Sequence, residues 1–168
     1  SILPVAGFQV TRDISVGLGL STDLAEELKK KYGDVTPVEE DDSDRTLPED
    51  GHSISYRELS QIIKIRMEEL LRLIVLELPN TDYSKLIPAG LVLTGGGSNL
   101  PGIAQLGEAV THLPVRVGVP SNLYGVSDML CDPAYATGVG LLQWKRNNGS
   151  VTGMQTWQTK TGVNSFFS

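Results

Sequence analysis

The sequence predicts an α/β fold, and three stretches carry that reading. Leu91-Val92-Leu93 is a short apolar run followed by Thr94, by Gly95-Gly96-Gly97 and by Ser98-Asn99-Leu100-Pro101. That is the order of a strand covered on both faces, a tight turn and a helix start. Leu59, Ile63, Met67, Leu70, Ile74 and Leu78 recur at helical spacing behind Ser55-Tyr56-Arg57-Glu58, a capping box. Val115-Arg116-Val117-Gly118-Val119 alternates as a short strand after a helix marked by Ile103, Leu106, Gly107 and Val110.

Composition bounds the rest. A chain of 168 residues, 40% of them apolar, can bury a core as one medium domain or two small lobes. A net charge of −6 argues against a nucleic-acid surface, which needs a basic stripe. A single cysteine, Cys131, excludes an internal disulfide and fits a reducing compartment; it reads as a small half-buried residue. His52 and His112 lie far apart with no cysteine at ligand spacing, so no metal site is expected. No apolar run approaches the roughly 18 residues that a membrane span needs.

In chain order, Ile2 to Val5 predicts a strand turned by Ala6-Gly7, and a start in such a run suggests a fragment or a processed chain. Gln9 to Leu18 predicts a helix with Val10, Ile14 and Leu18 on one face; Asp13, on another, either positions a metal-bound water or is solvated. Ser21 caps a helix from Thr22 to Tyr32, with Leu24, Ala25 and Leu28 inward and Gly33 after it. Lys29-Lys30-Lys31 either complement the partial negative charge of its C-terminal turn or let Lys29 or Lys30 reach a ligand.

Val38 to Gly51, rich in Asp and Glu, predicts a solvated loop or hairpin region. The long helix runs Tyr56 to Leu78 and stops at Pro79-Asn80. Pro120 to Met129 reads as irregular. Asp132-Pro133 starts a last helix with Ala134, Ala136, Gly138 and Gly140 as a small-residue packing face. After Lys145 the composition becomes that of a linker.

The chemistry concentrates at the glycine turn. Glycines allow positive φ and close approach to the backbone, Ser98 or Asn99 can cap the next helix, and bare amides there favour a phosphate or a sugar-phosphate edge. Contiguous glycines after a late strand do not fit a Rossmann dinucleotide site.

Four pieces together resemble the C-terminal half of FtsA, the actin-like cell-division ATPase of bacteria. They are Leu3-Pro4-Val5-Ala6-Gly7 with Thr11-Arg12-Asp13-Ile14; Ala25-Glu26-Glu27-Leu28-Lys29 with Tyr32-Gly33; Ile87-Pro88-Ala89-Gly90 running into Leu91–Gly97; and Pro114–Gly118 followed by Asp132-Pro133-Ala134-Tyr135-Ala136-Thr137. The resemblance covers about residues 1 to 144 and departs at Ala6, where the family usually has a second glycine.

The resemblance implies the second half of an actin-like (ribonuclease H-like) ATPase fold. Residues 1–30 and 88–144 would form the larger subdomain, residues 31–87 a smaller inserted α/β subdomain, and residues 145–168 a flexible linker toward a membrane-targeting tail. It implies ATP with magnesium in the complete protein, with the adenosine side held by Gly95, Gly96, Gly97 and Ser98 and by Glu26, Lys29 and Lys30. It implies a smaller subdomain that receives the C-terminal tail peptide of the tubulin-like FtsZ at or near Arg57, Lys64 and Arg66. Self-association into filaments, other division proteins, septum formation and a cytoplasmic position at the inner face of the membrane follow from the same likeness. The family's first phosphate loop is absent and its second would lie upstream of Ser1, so the chain alone is expected not to hydrolyse ATP. The alternative is a non-enzymatic interaction module of an actin-like pilus-assembly protein; Pro88-Ala89-Gly90 and Tyr135-Ala136-Thr137 fit the division family better.

Overall fold

The computed structural model describes residues 7–37, 45–49, 52–78, 89–121 and 130–148. The expected strand Ile2–Val5, most of the acidic stretch, the irregular segment after Pro120 and residues 149–168 lie outside the described residues, apart from Pro120 and Ser121.

Helix α1 spans Gly7–Leu18 and buries Val10, Thr11 and Ile14, which fall on one face at a period of 3.6. Helix α2 spans Thr22–Tyr32 as expected, with the Ser21 hydroxyl accepting from the Leu24 amide at 3.3 Å and Ala25 and Leu28 buried. Strands β1 (Thr46–Glu49) and β2 (His52–Ser55) form an antiparallel hairpin in which Leu47 pairs with Ile54. Both side chains point into the core, so the acidic region ends in a hairpin with one apolar face. Helix α3 (Tyr56–Glu77) starts at Ser55, whose hydroxyl accepts from the Glu58 amide at 3.3 Å, the first half of the capping box.

Strand β3 (Leu91–Leu93) pairs in parallel with β4 (Val115–Val117), Leu91 opposite Val115 and Leu93 opposite Val117. Helix α4 (Ile103–Thr111) connects them, as a parallel pair requires. Helix α5 (Ala136–Asn148) follows a short 3₁₀ turn, Pro133–Tyr135, capped by Asp132. One core cluster joins these parts: Val10 and Ile14 of α1, Ala25 and Leu28 of α2, Leu59, Ile63, Met67 and Leu71 of α3, Ile103 and Leu106 of α4, and the hairpin pair Leu47 and Ile54.

Four expectations are corrected. Among the described residues strand β3 is not covered on both faces: α4 lies against one side, where Leu93 and Val117 pack on the core, while Val92 and its partner Arg116 alternate outward and are exposed. The small-residue face of α5 is not packed among the described residues, because Val139 is the buried residue of the helix and Gly138 and Gly140 have open space beside them. The change in composition at Lys145 does not end structure there, since α5 continues to Asn148. Cys131 is exposed rather than half-buried.

Candidate functional site

The glycine turn is shaped by one residue. Gly95 adopts φ 86 and ψ 169, a region essentially closed to side chains, and its amide donates to the Pro133 carbonyl at 2.9 Å. The turn is tied to the start of α5 again through Asn99, whose Nδ2 donates to Asp132 Oδ1 at 2.9 Å. The Ala134 amide donates to that same oxygen at 2.7 Å. These two donors hold the Asp132 carboxyl below its usual range, the Ala134 amide having the larger effect.

Residues Gly96–Asn99 then form a 3₁₀ turn. This corrects the expected capping. Helix α4 begins only at Ile103, after Gly102 in a left-handed conformation and with no side-chain cap. The Ser98 hydroxyl instead donates to the Gly95 carbonyl at 2.8 Å and is buried, so it closes its own turn.

Gly96 and Gly97 differ from Gly95. Neither has a positive φ, and among the described residues a Cβ at Gly97 would meet nothing within 4 Å and one at Gly96 would touch Ala134 Cβ alone, at 4.0 Å. Neither backbone geometry nor packing asks for glycine at these two positions. Both border an open cleft of about 600 Å³, a size suited to a small molecule.

The cleft forms because the end of α2 docks beside this turn. The Val35 amide donates to the Pro101 carbonyl at 3.1 Å. The remaining wall comes from the start of α1 and from Arg66, Met67 and Leu70 of α3.

A charged network lines the α1–α2 side. Lys29 Nζ donates to Glu26 Oε2 at 2.5 Å, to Thr11 Oγ1 at 2.8 Å and to the Gly7 carbonyl at 3.1 Å, which uses all three of its protons. The Thr11 hydroxyl also bonds Glu26 Oε2, and Lys30 Nζ reaches Glu26 Oε1 at 3.2 Å. Partial burial raises the Glu26 carboxyl, but hydrogen bonds from Lys29, Thr11 and Lys30 outweigh it and hold it down, from 4.5 to about 2. Glu26 is therefore an anion at neutral pH with both oxygens engaged. Lys29 is largely buried, whereas the Lys30 side chain, at the rim of the cleft, is 71% exposed.

The structure brings Glu26, Lys29, Lys30, Gly96 and Gly97 to one cleft. Gly95 and Ser98 hold the turn behind it. Arg66 separates from the other two basic residues expected at a docking surface. It lies about 180° around α3 from Arg57 and about 200° from Lys64, on the cleft side, where Nε donates to Asp13 and Nη1 to Glu69 at 2.6 Å. Asp13 is thus neither a solvated acid nor a free one. Sequence reasoning missed Thr11 and the cleft role of Arg66. The signal was present: Arg66 lies one turn from Ile63 and Leu70 of the apolar stripe, where a cation needs a partner.

Among the described residues no group of three or more His, Cys, Asp or Glu could hold a metal ion, and no helix is long and apolar enough to cross a membrane.

The family model described as Cell division protein FtsA matches residues 1–140. The chain is similar to the cell division protein FtsA of Pseudomonas aeruginosa, 38% identical over 164 residues, covering 91% of this chain and 39% of that protein. It is 35% identical over 158 residues to that of Bacillus subtilis, with 90% and 34% covered. It is 31% identical over 159 residues to that of Escherichia coli, with 88% and 38% covered. The chain thus spans well under half the length of these relatives. Among solved structures it resembles MreB5 of Spiroplasma citri bound to ADP, with TM-score 0.64 and 16% identity, covering 87% of this chain and 46% of that one. The same protein bound to AMPPNP gives TM-score 0.65 at 16% identity, with 88% and 45% covered. The likeness establishes part of an actin-like ATPase fold.

Proposed function

The chain belongs to the FtsA family of cell division proteins, and on that premise we propose that its cleft holds the adenosine side of a nucleotide. The observation that carries the reading is the floor at Gly96 and Gly97. Two glycines unneeded by fold or packing leave bare backbone at the edge of a cleft whose other side is the Glu26–Lys30 network. Structural neighbours bound to ADP and AMPPNP point the same way.

Each residue then has a role. Glu26, ionised and fixed by Lys29 and Thr11, accepts from ribose hydroxyls, as acidic residues do in other nucleotide sites. Lys29 acts by orienting Glu26, since its protons are committed, and Lys30 supplies the solvent-exposed cation. Met67 and Leu70 offer an apolar wall to the base. Magnesium and the distal phosphates of ATP would be held in the complete protein.

For the inserted part, Arg57 and Lys64 lie seven residues apart on one face of α3, away from the cleft, and present two cations to the C-terminal tail peptide of FtsZ. In the cell the complete protein links FtsZ filaments to the inner face of the membrane during septum formation, self-associates through its actin-like fold, and meets other division proteins there.

The test is an amide-resolved NMR titration of the chain with ADP. Saturable shifts at Gly96, Gly97 and the Glu26–Lys30 turn support the reading. Shifts confined elsewhere, or none by a folded chain, reject it.

A further inference from the structure

Arg66 stands where its own helix provides little reason for a cation. Ile63 and Leu70, one turn to either side, belong to or pack against the core, and the adjacent Met67 is buried. A guanidinium set there must find an anion. It finds two, with different consequences. The Nη1 bond to Glu69 stays within α3 and orients the guanidinium. The Nε bond to Asp13 crosses to α1, 53 residues earlier in the chain. The Arg66 and Asp13 side chains are only 28% and 30% exposed, so solvent screens the pair less than a surface pair.

Helices α1 and α3 are also two walls of the cleft, α1 through Gly7 and Thr11 and α3 through Arg66, Met67 and Leu70. Val10 and Ile14 of α1 share one apolar core cluster with Ile63 and Met67 of α3, and apolar contact has no preferred direction along the interface. A planar guanidinium held by two carboxylates does. We propose that Arg66 is a positioning residue of the cleft: through Asp13 it fixes the setting of α3 on α1 and so holds Met67 and Leu70 as the wall that faces the ligand. The identity of that ligand rests on the nucleotide reading above; the tie between the helices does not.

The experiment compares wild type, Asp13→Asn, Arg66→Gln, the double variant and Arg66→Lys. Two quantities are measured: ADP affinity by NMR titration, and amide hydrogen exchange of α1 and α3 without ADP. Each single neutralisation weakens ADP binding about fivefold, and the double variant is no weaker, because both remove the same bond. Exchange in the facing turns rises equally in all three. Arg66→Lys, which keeps the charge without the fork, recovers part of the affinity. Loss of affinity in Arg66→Gln with Asp13→Asn unchanged would show direct ligand contact and overturn the proposal. Lower thermal stability with unchanged affinity would also overturn it. If wild type gives no ADP shifts at all, the nucleotide reading fails and the exchange rates decide the tie alone: equal increases support it, and unchanged rates reject it.

Discussion

Replacing Gly97 by alanine separates what the glycine turn does for folding from what it does for binding. The added methyl meets no atom of the described residues within 4 Å, and φ at Gly97 is outside the left-handed region. The fold therefore does not resist it. An alanine compatible with the native backbone stabilises by about 0.4–1 kcal/mol, because the unfolded chain loses freedom. For a chain of this length that raises the melting temperature by about 1–4 °C. The same methyl stands over the cleft floor where a ligand must approach the backbone, so ADP binding falls about tenfold or more, the cost of losing one close contact at roughly 1.4 kcal/mol. Gly95→Ala does the opposite. At φ 86 and ψ 169 an alanine is strained by about 1–3 kcal/mol, and the melting temperature falls. Thermal unfolding followed by circular dichroism and an NMR titration with ADP read both effects on the same samples. A stable Gly97→Ala chain that binds ADP like wild type would refute the reasoning that glycine is kept there for a ligand. A destabilised one would refute the reading of the turn itself.

Other outcomes follow from single side chains. The Ser60 hydroxyl is the one fully buried side-chain polar atom without a hydrogen-bond partner among the described residues, so Ser60→Ala stabilises by about 1 kcal/mol in urea unfolding; a loss of stability would reveal an unseen partner. Glu26 is held down from 4.5 to about 2, so its ion pairs stabilise fully above about pH 4.5 and are lost as pH falls toward 2. Because the side chain is 35% exposed, screening leaves about 1 kcal/mol of that, and Glu26→Gln removes the corresponding slope between those pH values in unfolding experiments. Ile63→Ala, at a fully buried position where α3 meets the core, costs about 2–5 kcal/mol by chemical denaturation. Arg57→Glu with Lys64→Glu abolishes saturable binding of a fluorescent FtsZ tail peptide without moving the melting temperature; unchanged binding would remove the docking surface from α3.

Local rules made much of this protein legible. The spans of α2 and α3, the caps at Ser21 and Ser55, the faces of α1 and α4 and the alternation around Arg116 depend on residues a few positions apart, and periodicity with capping chemistry decides them. The glycine turn announced itself as the centre of the chain for the same reason. What lay beyond sequence reading was set by contacts across distance. Ser98 was a fair cap on paper, yet the 3₁₀ turn that Gly95 starts carries its hydroxyl back to the Gly95 carbonyl and delays α4 to Ile103. The bonds from Lys29 to Thr11 and to the Gly7 carbonyl of α1 likewise join residues 18 and 22 positions apart. Arg57, Lys64 and Arg66 look alike as three cations on one helix. Only the packing of α3 on α1 turns Arg66 toward Asp13 and the cleft, because the face a helix buries is chosen by its neighbours.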